Sequence, residues 1–279
     1  MTPAPRRPSK RVRANAAAKA PPDRHALYEL CAQNPTRDVR MLRAMHGGDP
    51  RILGEDFSGT AALSRAWTAM SPEMKAVAVD HDPEPLSLAR GAPRVKVVQG
   101  DVMSASDPAD IIGVLNFSIC EIHARRVLVK YLRHARSRLK AGGVFVADIY
   151  DGADAFLTGR IVQYVKAPWS PRGAKGGRVR YEWEQRHADL LTGRVINAMH
   201  FGATWGGRRL RFEDAFVYDW RLWSIRELRD AMVDAGFGVT EVYPRTADAM
   251  DADGNLYVQP VEDPLDLGDS FSAYVVGRR

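Results

Sequence analysis

Cysteine is almost absent from this chain: Cys31 and Cys120 are the only two in 279 residues. They lie far apart, with no CxxC and no Cys/His ligand spacing, so neither a disulfide framework nor a structural zinc site is expected. No metal is assigned. Long apolar runs are missing too, since no stretch of about 18 such residues occurs, and the N-terminus lacks the apolar segment of a secretory signal. The expectation is a soluble, cytoplasmic protein with no membrane contact. A net charge of one sign is missing from most of the chain: 40 Lys+Arg stand against 34 Asp+Glu, but residues 1–25 hold seven basic groups and one acid. The remaining chain therefore carries 33 of each sign, and the basic pI comes from the tail and not from a binding face on the folded body.

That tail, MTPAPRRPSKRVRANAAAKAPPD, is rich in Ala, Pro and Arg with little to bury, and disorder is expected over residues 1–22. It reads as a solvated extension, with an arm for nucleic acid or an acidic partner, or an organelle presequence, as the functional alternatives; nothing else in the sequence invites nucleic acid. The chain is 45% apolar, and beyond the tail it is long enough for one large domain or a domain with a lobe. Oligomeric state leaves no signature.

DRHALYELCAQNP and TRDVRMLRAMHGG read as two helices, stopped by Pro35 and by a Gly pair. From Arg51 short apolar runs alternate with helical segments: RILGEDF, a helix over 60–70, KAVAVDHD, the helix PEPLSLAR, RVKVVQGD, ADIIGVLNFS, a helix over 124–139, and GGVFVADIY. Strands alternating with helices imply βαβ units and a parallel sheet, whose ligands bind at the carboxyl ends of the strands. After Tyr150 the rhythm breaks. Residues 151–177 read as loop, and VRYEWEQRH, GRVINAMHFGATW and RRLRFEDAFVYDW then alternate with the period of two of antiparallel strands. This predicts an inserted antiparallel β lobe over 151–220, within a core of 23–150 and 221–279. The core resumes with the helix SIRELRDAMVDAGF, where Ser224 and Glu227 have capping-box spacing, and ends with strands GVTEVYP and SFSAYVVG.

The first strand runs into GEDFSGTAALSRAW, a turn feeding a helix. Gly54 and Gly59 have P-loop spacing, but Thr60 and Ala61 stand where Lys and Ser/Thr would hold phosphate and magnesium. A dinucleotide fingerprint fails because only Gly59 could serve it. A third reading uses acids, since S-adenosylmethionine has no phosphate and offers an amino-acid moiety, a ribose diol and an adenine edge. Glu55, Asp80 and Asp101 end three successive strands. Asp80, with His81 next to it, is placed to accept both ribose hydroxyls, and Asp101 with the backbone at Val102 to bond the adenine amino group.

On these residues the chain from about Asp23 onward resembles the class I S-adenosylmethionine-dependent methyltransferases. Within them it is similar to a bacterial subgroup of unassigned substrate sharing the strings LYEL, GEDFSGTA, VDHDPEPL, QGDV, LNFS, GGVFVADIY, YEWEQ and VYDWRLW. The superfamily motif E-x-G-x-G-x-G maps onto Glu55, Phe57, Gly59 and Ala61, so two of its three glycines are replaced. The resemblance implies a doubly wound seven-stranded Rossmann-like sheet, order 3-2-1-4-5-7-6 with the seventh strand antiparallel. It also implies a methyltransferase with S-adenosylmethionine as cofactor, S-adenosylhomocysteine as product and the lobe over the acceptor site.

Methyl transfer from a sulfonium is an in-line displacement in which a base is needed only when the acceptor must lose a proton. LNFSICEIHAR brings Asn116, Phe117, Glu121 and His123 to the fourth strand end, and DIYDG brings Tyr150 and Asp151 to the fifth. Asn116 and Phe117 are expected at the cofactor; Glu121, His123, Tyr150 and Asp151 are the candidate bases. Tyr28 and Gln33 on the first helix are candidates to close over the methionyl carboxylate. In the aromatic-rich lobe, Tyr181, Trp183, His200 and Trp220 are the candidate acceptor contacts, most other aromatics there serving cross-strand packing. The expected acceptor is a small molecule. The alternatives are a nucleic acid or protein anchored by the basic arm, and a cofactor-binding subunit without catalysis.

Overall fold

The computed structural model describes residues 20–169 and 177–279. Most of the basic tail, and the glycine-rich SPRGAKG segment, lie outside the described residues. The chain opens with helices α1 (Arg24–Ala32) and α2 (Pro35–His46). Strands β1 (Ile52–Asp56), β2 (Lys75–Asp80), β3 (Val95–Gln99), β4 (Ala109–Val114) and β5 (Leu139–Gly152) then alternate with helices α3 (Ala62–Met70), α4 (Pro83–Leu86) and α5 (Arg125–Arg138). Four antiparallel strands come next: β6 (Gly159–Lys166), β7 (Arg178–Asp189), β8 (Arg194–Trp205) and β9 (Arg208–Arg221). Helix α6 (Ile225–Asp234), strand β10 (Val239–Pro244), the short hairpin β11 (Ala249–Met250) and β12 (Leu256–Tyr257), and strand β13 (Ser270–Arg278) complete the chain.

Local chemistry accounts for the helix boundaries. The Asp23 carboxylate accepts the Ala26 N–H at 2.8 Å to cap α1, and α2 starts on Asn34 and Pro35 and stops at Gly47, whose φ of 75° only glycine adopts freely. The capping box at Ser224 and Glu227 forms as expected and starts α6.

The main sheet runs β10-β13-β5-β4-β1-β2-β3, and β13 is antiparallel to both of its neighbours. This is the order 3-2-1-4-5-7-6 that the resemblance implies. Its central strands are buried on both faces, as the unbroken apolar run from Val144 to Ala147 requires. One face packs Ile112 and Phe145 against Leu128 and Tyr131 of α5 and Leu228 and Met232 of α6; the other packs Leu53, Ile111, Val144 and Val146 against Leu42 of α2 and Trp67 of α3. Because the chain leaves β1 toward β2 and β3 but returns to β4 on the other side, the sheet has a topological switch point at the carboxyl ends of β1 and β4.

The loop expected over 151–177 contains a strand instead. β6 pairs antiparallel with β7 from Gly159 with Gln185 to Lys166 with Arg178, giving a four-stranded sheet. Its segment IVQYV lacks a period of two because Ile161 and Tyr164 are both exposed, at 62% and 60%, on an edge strand. Leu27 of α1 packs into the core of this second sheet with Tyr181, Met199 and Phe201. No helix among the described residues is long and apolar enough to cross a membrane.

Candidate cofactor and acceptor site

The turn after β1 carries left-handed backbone at Phe57, Gly59 and Ala61, with φ of 57°, 52° and 54°. These are the three positions that the methyltransferase motif fills with glycine. Two of the three hold non-glycine residues here, at a cost of about 1–2 kcal/mol for each. The turn is tied to β2: the Ser58 N–H donates to the Val79 carbonyl at 2.9 Å and the Gly59 N–H to Asp80 Oδ2 at 2.6 Å. A Cβ built on Gly59 meets nothing within 4 Å, so this backbone faces open space.

Asp80 is nearly buried, and its second oxygen accepts the Asp82 N–H at 2.9 Å. Both oxygens are thereby oriented by backbone while keeping lone pairs for another donor. Asp101 caps a single 3₁₀ turn through the Met103 N–H at 2.8 Å. Phe57, Asp80, His81, Asp101 and Val102 together line a groove of about 150 Å³ across the ends of the first strands.

A larger cavity of about 400 Å³ opens over the ends of β4, β5 and β13, between α1 and the four-stranded sheet. Tyr28 and Ala32 come from α1, Asn116 and Phe117 from the end of β4, and Tyr181, Trp183, Met199 and Trp220 from the lobe. Asn116 and Phe117 are consecutive left-handed residues, with φ of 60° and 64°. Their backbone N–H groups donate to the Asp148 carboxylate at 3.1 and 2.7 Å, and Arg245 Nη1 donates to the same carboxylate at 2.6 Å. Burial pushes the Asp148 pKa up, while Arg245 and these N–H donors oppose it. Tyr150 also lines the cavity. Its hydroxyl donates to Gln185 Oε1 at 3.1 Å and accepts from Asn197 Nδ2 at 3.2 Å, and burial pushes its pKa up. The Gln185 amide donates to the Ala155 and Leu157 carbonyls at 2.8 and 2.9 Å, which fixes which end of it faces the tyrosine.

The structure brings most of the sequence-derived candidates to one of the two cavities, and it moves several elsewhere. Glu55 lines neither: it is buried, and Oε2 accepts the Ser64 N–H at 2.8 Å, so it fastens α3 to β1. Burial raises its pKa to about 7 against the opposing hydrogen bonds from Ser64. His123 lines neither cavity; its Nε2 meets the Asp219 carbonyl at 2.7 Å and its own carbonyl accepts from Arg221, joining the loop after β4 to β9. Asp151 is turned away as well, because strand alternation puts it on the face of β5 opposite Asp148 and Tyr150, where it accepts the Gly152 N–H. His200 sits on the far face of the lobe. Its Nδ1 accepts the Asp214 N–H at 3.0 Å and Nε2 meets Glu184 at 3.1 Å, within a cleft rich in arginine. Its neighbour Met199 faces the cavity in its place.

Gln33 ends α1 and lines neither cavity. Glu121 stands between them, feeling the charges of Asp80 and His81 on one side and facing Trp220 on the other. Its edge is exposed, yet the surrounding walls desolvate the carboxyl enough to raise its pKa, with His81 opposing and Asp80 reinforcing that rise.

Asp148 and Arg245 are the members that the sequence reading missed. An aspartate inside the buried run FVADIY was a usable signal, because an acid at such a position requires partners. Arg245 gave none, since it belongs to a polar loop whose path only the fold reveals.

No family model matches the chain, and no curated protein matches its sequence. Solved structures do match in shape. An S-adenosylmethionine-dependent methyltransferase from Clostridium acetobutylicum superposes with a TM-score of 0.60 at 16% identity, over 90% of this chain and 96% of the other. An amino pentose methyltransferase from Micromonospora echinaspora, solved with S-adenosylmethionine bound, gives 0.63 at 16% over 91% and 95%. A sugar N-methyltransferase from a Streptoalloteichus species gives 0.61 at 18% over 98% of both chains. The fold is that of the class I methyltransferases. At these identities the likeness concerns the arrangement of strands and helices, and the chemistry rests on the individual residues of the two cavities.

Proposed function

We propose that this chain is a methyltransferase that uses S-adenosylmethionine to methylate a small molecule. The observation that carries the reading is the placement of Asp80, oriented by the Gly59 and Asp82 N–H groups, beside an open left-handed turn at the switch point of a methyltransferase-type sheet. In this reading Asp80 holds the ribose diol, Asp101 and the backbone at Val102 hold the adenine edge, and the turn at Phe57 to Ala61 and the N–H-clamped corner at Asn116 face the amino-acid moiety. The bound cofactor supplies an electrophilic methyl group on a sulfonium.

What the protein contributes is alignment and exclusion of water. Phe117 lies edge-on to Tyr150 and Trp220, with ring centroids 5.1 and 6.0 Å away, forming an aromatic wall at the boundary of the two cavities. Such faces attract a cation by about 0.5–2 kcal/mol. Among the described residues that line the acceptor cavity no base is free: the Tyr150 hydroxyl donates to Gln185, and the Asp148 carboxylate already accepts from three donors. This supports an acceptor that presents its lone pair without help. A volume of about 400 Å³ roofed by α1 supports a small acceptor over a polymer. The test is calorimetric titration with S-adenosylhomocysteine. One site per chain with micromolar affinity is expected, and no binding would defeat the reading.

A further inference from the structure

Among the described residues the acceptor cavity has a single cationic group in its wall, Arg245, and it is built in. Arg245 follows β10 and reaches across the sheet to Asp148 on β5, to which Nη1 donates at 2.6 Å. Its guanidinium lies 4.6 Å from the ring centroid of Tyr274, and Nη2 stands 3.8 Å from Asp38, too far for a hydrogen bond. Tyr274 is itself held by its hydroxyl, which donates to Asp38 at 2.9 Å. Arg245 thus has a fixed position, makes one hydrogen bond through five N–H groups among the described residues, and keeps 24% of its side chain exposed.

The remaining polar lining is neutral, from Asn116, Gln163 and Ser272, and the opposite wall is aromatic, from Tyr181, Trp183 and Trp220. Asp148 does not compete for a ligand, because its carboxylate already accepts from three donors and the residue is only 1% exposed. The strands beneath this cation, β5 and β13, lie two and three places from β1, roughly 10–14 Å away, while Asp148 links it to the corner at Asn116.

Resting on the methyltransferase reading, we propose that Arg245 is the anchor for an anionic group on the acceptor, and that the acceptor is a flat, mainly apolar molecule bearing a carboxylate. A planar guanidinium with a free N–H edge pairs with a carboxylate in a bidentate fork, and the aromatic wall takes the flat body. Arg245 would act in specificity, fixing which end of the acceptor points toward the methyl group.

The experiment compares wild type, Arg245→Gln and Arg245→Lys, each checked for an unchanged circular dichroism spectrum. With S-adenosylhomocysteine saturating, indole-3-acetate and its neutral isostere indole-3-acetamide are titrated as probes. The expected result is at least tenfold tighter binding of the carboxylate by wild type, a preference lost in Arg245→Gln and partly kept in Arg245→Lys, which retains charge without the fork. Should Arg245→Gln fail to fold, Arg245→Lys carries the comparison. Equal binding of the two probes, no binding of the carboxylate, or a preference that survives the substitutions overturns the proposal. The cofactor's own carboxylate is the other source of this chemistry. If Arg245→Gln loses affinity for S-adenosylhomocysteine tenfold while 5′-methylthioadenosine, which lacks the carboxylate, binds as before, the residue belongs to the cofactor and the acceptor assignment falls. Failure of wild type to bind S-adenosylhomocysteine strikes the methyltransferase reading instead, and probe binding in its absence still reads the anion preference separately.

Discussion

The Asp148 carboxylate holds Phe117 by its backbone N–H at 2.7 Å, across the gap between the ends of β5 and β4. Phe117 and Asn116 before it are both left-handed, a backbone state that neither side chain favours, so the corner persists because its two N–H groups have a charged acceptor. Arg245 balances that charge in turn. Asp148→Asn removes the charge and leaves the guanidinium without its partner, and about 3 kcal/mol of stability should be lost, the low end for a broken buried pair because Arg245 keeps part of its side chain in solvent. Urea unfolding measures this. A loss under 1 kcal/mol would mean that the corner is held by packing alone.

Asp80 gives the most direct test of the cofactor groove. Both of its oxygens are engaged by backbone, so Asp80→Ala removes a preoriented acceptor together with its charge. Charge-assisted hydrogen bonds contribute about 1.5–3 kcal/mol each, and two lost bonds to a ribose diol predict at least a hundredfold weaker binding of S-adenosylhomocysteine. Calorimetry on the variant, with its melting temperature recorded alongside, separates this from unfolding. Undiminished affinity in a folded variant would remove the ribose assignment.

Glu55 makes a prediction about pH. Its folded-state pKa, raised by burial to about 7, lies above the ordinary glutamate value of 4.5. The native state therefore holds a proton that the unfolded chain has released between those values, and stability falls as pH rises through that window. The contribution is present in full below pH 4.5, is lost by about pH 7, and amounts to on the order of 3 kcal/mol. Glu55→Gln, which keeps an acceptor for the Ser64 N–H, should flatten this part of the stability profile and exceed wild type above pH 7. Parallel profiles for the two proteins would show that Glu55 is ionised at no cost.

These same residues mark how far sequence reasoning reached. The helices and the alternation of strands with them were legible because apolar runs, caps and breakers are local signals, and β4 and β5 carry theirs without interruption; the strand order came only from the resemblance. β6 was not, since an edge strand with Ile161 and Tyr164 both exposed shows no alternation. Asp80 and Asp101 could be placed because strand ends in a parallel sheet converge on one edge. His123, Asp151 and His200 were misplaced because their roles turn on which way a side chain faces. At both Asp151 and His200 a single step of strand parity decides it: His200 pairs with Glu182, between the Met199 and Phe201 positions that share the other face with Trp183 and Tyr181. Glu55 has the right strand and the wrong duty. Its burial was invisible in a motif that names only the residue type.

Ala61 tests whether the left-handed turn is strained. It is fully buried with φ of 54°, and it stands at the N-cap of α3, outside the helix interior. Glycine there relieves about 1–2 kcal/mol of left-handed strain. It also loses one buried methyl, about 0.8 kcal/mol, and about 0.4–1 kcal/mol through the greater freedom of the unfolded chain. These terms nearly cancel, so Ala61→Gly should change stability by less than about 1 kcal/mol. Ala135→Gly makes the control, because Ala135 is equally buried but lies inside α5, where glycine loses the methyl and helix propensity together with no strain to relieve. That variant should lose about 1.5–2 kcal/mol. Urea midpoints for the pair decide the matter: if Ala61→Gly costs as much as Ala135→Gly, the turn holds alanine without strain and the motif's glycines have no conformational reason here.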